Sequence, residues 1–370
     1  MNRAGPLALT AVFGLVGAPQ AAGQADVMRV HVIDVGQGAA TLVEFPCAAI
    51  LVDTGGERWP VEEWLTPKYD STAALMSYLN GFFQSRPGLQ SRLELLILTH
   101  PHKDHTRAVS KVISAFRPKS VVYNGQMHGS GEDGQRDART YAREAEVPSW
   151  YTLERTIDRT TGLSNHAIDP VACAPTDPRI RALWGQVRER TDWAPEDYDD
   201  ENNHSVVVRI DYGEASILFT GDLEETREQG RRAGFERLVA DYRASKLLDV
   251  DVYHVGHHGS HNGTTPALLE AISPEIAVIS AGPACERGGY SAWEHAHPRM
   301  VTVRDLEAKV TGARPAKPVK AFEHHQAKPT TFSETKAIYS TGWDGTIALE
   351  GGKDGSWSVV RTTGPHECLN

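Results

Sequence analysis

The feature that most constrains this chain is the segment 100–105, in which four of six side chains can bind a metal ion. These are His100, His102, Asp104 and His105. An apolar run, residues 93–98, comes directly before them, and its length and continuity predict a buried strand. Ligand-type side chains gathered at the end of a buried strand are costly to a fold unless something binds them. Imidazole and carboxylate together suit Zn²⁺, and Mn²⁺ or Fe also fits this set.

Two later segments extend this donor set. Asp222 follows the apolar run 215–220, where its carboxylate could bridge two cations. The segment 254–261 follows another short strand and contains the neighbouring pair His257 and His258. Nine of the sixteen histidines fall within residues 100–105, 254–261 and 295–297. This clustering predicts a common site rather than scattered surface histidines.

The rest of the chain predicts a layered α/β fold. The apolar runs 29–35, 40–45 and 48–52 are separated by turn residues and predict a strand meander. Predicted strands and helices then alternate in two halves of the chain. Residues 124–201 have weak periodicity, so we interpret them as an insertion over the core. Residues 309–328 carry five Lys or Arg against one acid and predict an exposed basic loop.

Composition excludes several classes of protein. With 370 residues and 40% hydrophobic side chains, the chain can bury a large core. The absence of an apolar run of about 18 residues argues against a polytopic membrane protein. The 38 basic residues are outnumbered by 48 acidic ones, giving a formal charge of −10. This balance argues against a protein that coats nucleic acid, although a local basic groove is compatible with it.

The N-terminal segment predicts export. Residues 1–25 combine one basic residue, a short apolar stretch and small residues suited to cleavage, the pattern of a signal peptide. The folded domain would then occupy residues 27–365 of a periplasmic or secreted protein. Four cysteines, Cys47, Cys173, Cys285 and Cys368, would lie in an oxidising compartment, and three disulfide pairings are open to them.

The motifs together resemble the metallo-β-lactamase superfamily, whose HxHxDH pattern is met in full by residues 100–105. The similarity is strongest to the hydrolase branch that includes the soluble domain of the bacterial competence DNA-uptake channel protein. It covers roughly residues 28–360. The motifs that carry it are His31-Val-Ile-Asp34-Val-Gly36-Gln37-Gly38, Ile50-Leu-Val-Asp53-Thr-Gly55-Gly56, Asn202-Asn203-His204-Ser205, Phe219-Thr-Gly-Asp222-Leu, Val255-Gly-His257-His258-Gly-Ser260, His297-Pro298 and Tyr339-Ser-Thr-Gly-Trp-Asp344-Gly345.

The resemblance implies a four-layer αββα sandwich with a dinuclear site at the edge of its two sheets. It implies two Zn²⁺ ions, with Mn²⁺ or Fe as alternatives, and a set of seven protein ligands. Metal 1 would take His100, His102 and His204, and metal 2 would take Asp104, His105 and His258, with His258 preferred over His257. Asp222 would bridge the two ions, and Asp53 would orient the ligand loop.

The implied reaction is hydrolysis by a hydroxide that bridges the two metals. Asp104 would orient this hydroxide, and His257 or His297 would stabilise the developing charge or protonate the leaving group. The resemblance favours hydrolysis of phosphoesters, including nuclease activity. A small-molecule or nucleotide-type phosphoester is preferred over long nucleic acid, because five acids within residues 196–201 would repel a polyanion. Two alternatives stay open: a lactam or lactone hydrolase, and a non-catalytic, metal-dependent DNA-binding module.

Overall fold

The computed structural model describes residues 26–56, 69–188, 193–225, 234–285, 291–325 and 328–366. The predicted signal peptide, residues 1–25, lies outside the described residues, as does Cys368. Within the described ranges, no helix combines the length and apolar character that crossing a membrane requires.

Two β-sheets form the centre of the fold. The first has the strand order β16-β15-β1-β2-β3-β4-β5-β6 and the second the order β14-β11-β10-β9-β8-β7. The strands of the first sheet are β1 (Val27–Val32), β2 (Thr41–Glu44), β3 (Ala49–Val52), β4 (Leu95–Ile97), β5 (Val121–Tyr123), β6 (Ser149–Tyr151), β15 (Ile347–Gly352) and β16 (Trp357–Thr362). Those of the second are β7 (Arg179–Trp184), β8 (Val207–Tyr212), β9 (Ala215–Phe219), β10 (Val252–His254), β11 (Ile276–Ile279) and β14 (Ile338–Ser340).

Helices cover the sheets, and short 3-10 turns connect several elements. The helices are α1 (Ser71–Ser85), α2 (Lys103–Thr106), α3 (Val109–Phe116), α4 (Glu132–Glu144), α5 (Pro195–Tyr198), α6 (Gly234–Tyr242), α7 (Pro266–Ile272), α8 (Ala292–His295), α9 (Met300–Lys309) and α10 (Thr341–Asp344). The 3-10 turns are Pro87–Leu89, Glu154–Thr156, Glu201–His204 and Gly256–Gly259.

Side-chain alternation in β3 shows how the layers form. Ile50 and Val52 pack into the large core that both sheets share. Ala49 and Leu51 point the other way, into a second core that α1, α3 and α4 cover. A strand must be covered on both sides when its successive side chains point to opposite faces of the sheet and are all apolar. Two sheets with helices on their outer faces form the αββα sandwich that the resemblance implies.

The sheets share one pattern of strand direction that determines where the site lies. In each sheet, antiparallel strands are followed by parallel ones: β3, β4, β5 and β6 run parallel in the first sheet, and β9, β10, β11 and β14 in the second. The carboxyl ends of parallel strands meet at one edge of a sheet, where ligand-binding residues commonly gather.

Two sequence expectations differ from the structure in detail. Residues 124–201, predicted as an insertion over the core, include the edge strands β6 and β7, and Trp184 in β7 is fully buried. Within the predicted basic loop 309–328, a strand forms instead: β12 (Ala313–Ala321), which pairs with β13 (Thr330–Lys336). Prolines and basic residues hid this strand from a periodicity argument, because only Val319 and Ala321 are buried within it and hairpin pairing holds the rest.

Candidate metal centre

Four strand ends deliver the predicted metal-binding side chains to one place. β3 ends immediately before Asp53, and β4 ends two residues before the loop that begins at His100. In the second sheet, Asp222 lies in the loop after β9. The 3-10 turn that contains His257 and His258 comes after β10. Because β9 and β10 are parallel neighbours, their following loops emerge side by side.

Four of these residues converge on a single point. The donor atoms of Asp104, His105, Asp222 and His258 all lie within 4.8 Å of one another. The His105 Nε2 atom is 3.2 Å from Asp222 Oδ1, and His258 Nε2 is 3.1 Å from Asp104 Oδ2. His105, Asp222 and His258 are buried, and Asp104 is half-buried. These are the residues that the sequence analysis assigned to metal 2, together with the bridging carboxylate.

The tautomers of the two histidines show that this donor set fits a cation. His105 Nδ1 lies 2.8 Å from Asp53 Oδ2, and His258 Nδ1 lies 2.7 Å from the Ser280 carbonyl oxygen. Since both partners only accept, each Nδ1 donates a proton and each neutral ring has its lone pair on Nε2. The two Nε2 atoms are 3.2 Å apart, so their lone pairs repel each other unless a proton or a cation lies between them.

The electrostatics of these side chains support the same conclusion. Burial favours the neutral imidazole of His258, but the carboxylates of Asp222 and Asp104 outweigh it and raise its pKa to about 10. Burial would raise the pKa of Asp222, yet His105 and His258 hold it well below its ordinary value. Asp222 and Asp104 therefore require a compensating positive charge beside them, which a proton or a bound cation can supply.

His100 and His102 form a second donor group beside the first. Their Nε2 and Nδ1 atoms, respectively, are 3.1 Å apart. His100 Nε2 is also 3.9 Å from Asp222 Oδ2, the carboxylate that the first cluster shares. His102 Nε2 lies 3.6 Å from Glu201 Oε2, so an acidic side chain adjoins this group.

His204, expected on metal 1, is not among these residues. Its Nδ1 accepts a hydrogen bond from the Val187 backbone N–H at 3.0 Å, and its Nε2 donates to the Tyr198 carbonyl oxygen at 2.8 Å. Both ring nitrogens are thus used inside the fold, and neither offers a lone pair to an ion. The motif alone could not reveal this, because it does not indicate which of its polar residues faces the cavity.

Asn202 is the member of that motif that faces the cavity. It lines the cavity together with His102 and Asp222. Its Nδ2 donates to Glu224 Oε1 at 2.8 Å, and its buried Oδ1 has no hydrogen-bond partner within the described residues. Sequence reasoning missed this residue because it looked for an imidazole.

Asp53 and two glycines hold the ligand loop in place. Asp53 accepts hydrogen bonds from Thr99 N–H and Thr99 Oγ1, each at 2.8 Å, in addition to contacting His105. A Cβ at Gly55 would lie 1.5 Å from the Asp104 carbonyl oxygen, and one at Gly38 would lie 2.6 Å from it. Both positions therefore require glycine so that the backbone can approach the loop.

An open cavity of about 600 Å³ lies in front of the cluster. His257 and His297, the two predicted catalytic histidines, line it, as do Lys103 and Arg107. Burial alone would lower the pKa of His257, but Asp222 and Glu224 raise it. The pKa of His297 is instead held well below its ordinary value by burial and by the neighbouring histidines. Gln37 also lines the cavity, in a segment that the sequence analysis interpreted only as part of a motif.

Comparison with known proteins identifies the family. Residues 33–282 match the model of the metallo-beta-lactamase superfamily. The chain belongs to the metallo-β-lactamase superfamily. Recombination protein 2 of Haemophilus influenzae is 30% identical over 69% of the chain and 24% of its own length. ComE operon protein 3 of Bacillus subtilis is 26% identical over 69% of the chain and 28% of its own length.

The chain is also similar to another curated protein and to solved structures. Competence protein ComA of Neisseria gonorrhoeae is 40% identical over 22% of the chain and 11% of its own length. The chain thus spans between 11% and 28% of the length of these curated relatives. Among solved structures, the match to the metallo-β-lactamase fold protein YhfI of Bacillus subtilis covers 78% of this chain and 95% of the YhfI chain. The sequence identity is 13% and the TM-score is 0.41.

Proposed function

We propose that this chain is a dinuclear metallohydrolase that acts on phosphoester bonds. The observation that carries the proposal is the convergence of Asp104, His105, Asp222 and His258 beside His100 and His102, at the floor of an open cavity. Two zinc ions held by these residues would lower the pKa of a water molecule and polarise the oxygen under attack. Mn²⁺ or Fe would suit the same donors.

The protein's own groups have distinct tasks in this mechanism. Asp104 stays a carboxylate, because its hydrogen bond from His258 and the charge of His105 outweigh burial and hold its pKa well below its ordinary value. It orients the attacking water. His257, whose pKa is raised, protonates the leaving oxygen. His297 stays neutral and donates a hydrogen bond to the developing charge.

The cavity walls favour a phosphoester over a lactam or lactone. Lys103 and Arg107 both line the cavity, although Lys103 also contacts Asp133 at 2.7 Å and Arg107 donates to the Gly56 carbonyl oxygen. Cations that face an active site stabilise the charge of a phosphoryl group, which a lactam or lactone does not carry. The cavity volume suits a nucleotide-sized substrate.

A polynucleotide is the second candidate substrate. Three relatives are named for competence or recombination, which favours a relation to DNA. A non-catalytic role in binding DNA is less well supported, because a binding module has no need for this complete donor set. Cutting of an oligonucleotide by the metal-loaded protein would favour a polynucleotide substrate. Binding of the oligonucleotide without cutting would favour the non-catalytic role.

We further propose that the protein works outside the cytoplasm. Cys47 and Cys173 form a disulfide, and Cys285 is also disulfide-bonded. Structural disulfides persist in oxidising compartments and are rare in the cytosol. Cleavage of residues 1–25 during export would be tested by sequencing the N-terminus of the exported protein. An unprocessed N-terminus in the cytosolic fraction would contradict it.

The decisive experiment measures hydrolysis of a chromogenic phosphodiester by the zinc- or manganese-loaded protein. Asp222→Asn should abolish turnover, since a neutral amide replaces the carboxylate that both donor groups share. Arg107→Gln should raise KM for the phosphodiester while leaving the bound metal content unchanged. No turnover by a protein with two metals bound per chain would overturn the proposal, and turnover of a lactam or lactone would replace it.

A further inference from the structure

A buried glutamine contacts one of the proposed catalytic histidines. Gln37 lies in the turn after β1, is 2% exposed and lines the cavity. Its Nε2 atom is 2.9 Å from His297 Nδ1. At the other end of the same amide, Oε1 accepts a hydrogen bond from the Gly282 backbone N–H at 3.4 Å.

The second contact determines the direction of the first. A backbone N–H can only donate, so the amide atom that faces Gly282 must be the oxygen of Gln37. The NH₂ group therefore faces His297 and donates to its Nδ1. A neutral imidazole that accepts at Nδ1 carries its hydrogen on Nε2. The contacts of this one amide thus select the tautomer of the histidine.

The turn that carries Gln37 is fastened to the metal-binding loop. The Ala39 backbone N–H donates to the Asp104 carbonyl oxygen at 2.9 Å. Gly36 and Gly38 both have positive φ, and the space beside Gly38 admits no Cβ. The turn therefore has little freedom to move relative to the ligands, and the position of the Gln37 amide is fixed on the same frame as the metal centre.

We propose that Gln37 is a positioning residue that holds His297 as the Nε2–H tautomer, so that His297 presents an N–H donor to substrate oxygen in the cavity. The tautomer follows from the contacts of Gln37 alone, whereas its use on substrate rests on the proposed hydrolase function. No other described residue is bonded to the His297 ring nitrogens, so Nε2 is the atom left for a ligand.

The tautomer is measured directly by NMR of protein labelled with ¹⁵N at histidine. His297→Asn identifies the two ring signals of this residue. In the wild type, Nδ1 should give the signal of an unprotonated nitrogen and Nε2 that of an N–H. Gln37→Glu places a carboxylate against Nδ1 and should move the hydrogen to Nδ1. Gln186→Glu, a glutamine that does not line the cavity, should leave the signals unchanged.

The wild-type spectrum decides the inference even where a variant does not fold: an Nδ1–H signal from His297 would overturn it. Unchanged His297 signals in folded Gln37→Glu would do the same. On a phosphodiester, Gln37→Glu should lower kcat about tenfold or more with the metal content unchanged, because a donor to the developing charge is lost.

The same substitution in a His297→Ala background should cost nothing further, since the two residues act as one unit. Equal losses from Gln37→Glu in both backgrounds would refute the coupling. If the wild type hydrolyses no phosphodiester, the proposed function fails, while the NMR measurement still decides the tautomer.

Discussion

Replacing Asp53 with asparagine tests how the metal centre is oriented. One carboxylate oxygen, Oδ2, lies 2.8 Å from both Thr99 Oγ1 and His105 Nδ1, while Oδ1 accepts from the Thr99 N–H. An asparagine has one donor end, so in either orientation an NH₂ group would face a donor. With NH₂ at the Oδ2 position, His105 must move its hydrogen to Nε2 and loses the lone pair that would bind metal.

Loss of such an orienting partner weakens metal binding about 10- to 100-fold, or about 1.4–2.7 kcal/mol. We expect this loss for Asp53→Asn in competition with a chromophoric zinc chelator at fixed pH. Asp211→Asn is the matched control, because Asp211 is also buried but contacts Arg181 and Arg209 instead of a ligand. A folded Asp53→Asn protein that binds zinc within twofold of the wild type would refute the reasoning.

Four further outcomes are expected. Gly55→Ala should lower zinc affinity at least tenfold in the same competition assay, because its Cβ would collide with the ligand loop. Gly81→Ala, in an open position of α1, should instead stabilise the fold by up to about 1 kcal/mol and leave zinc affinity unchanged. Loss of the Cys47–Cys173 disulfide, which closes a loop of 126 residues, should lower the free energy of unfolding by about 4 kcal/mol in chemical denaturation, and a loss below about 1 kcal/mol would contradict this. The folded pKa of His258, about 10, exceeds its ordinary value of 6.5, so the stability from its protonation is complete below pH 6.5 and is lost as pH rises through about 10. Thermal denaturation in EDTA should therefore show a falling Tm across this window, and a flat profile would argue against the cluster.

The sequence predicts much of the fold because burial imposes clear patterns. The meander β1 to β3 and the strands β4 and β9 all appear where the apolar runs predict them. The four residues of the first donor cluster could also be found, since each lies in a loop or turn that follows an apolar strand. Parallel strands bring their carboxyl ends together, which turns separate motifs into one site.

The remaining part of the site depends on side-chain direction, which a motif does not specify. In the segment Glu201–His204, all four residues are polar, and one 3-10 turn directs them to different surroundings. His204 is directed towards the backbone of Val187 and Tyr198, whereas Asn202 reaches the cavity. Gln37 was missed for a related reason: its contact with His297 joins residues 260 positions apart.

Local contacts also change what the charge clusters mean for substrate choice. Of the acids in 196–201, Asp197 is buried, and Glu201 contacts His102 and His128, which lowers its pKa to about 2. In the basic segment, Arg314 and Lys317 both bind Asp344. Engaged charges exert a weak field at a distance, particularly in physiological salt. Recognition of the proposed phosphoester substrate would therefore fall to the groups that line the cavity, and the cavity walls, rather than the net charge of −10, would limit the size of that substrate.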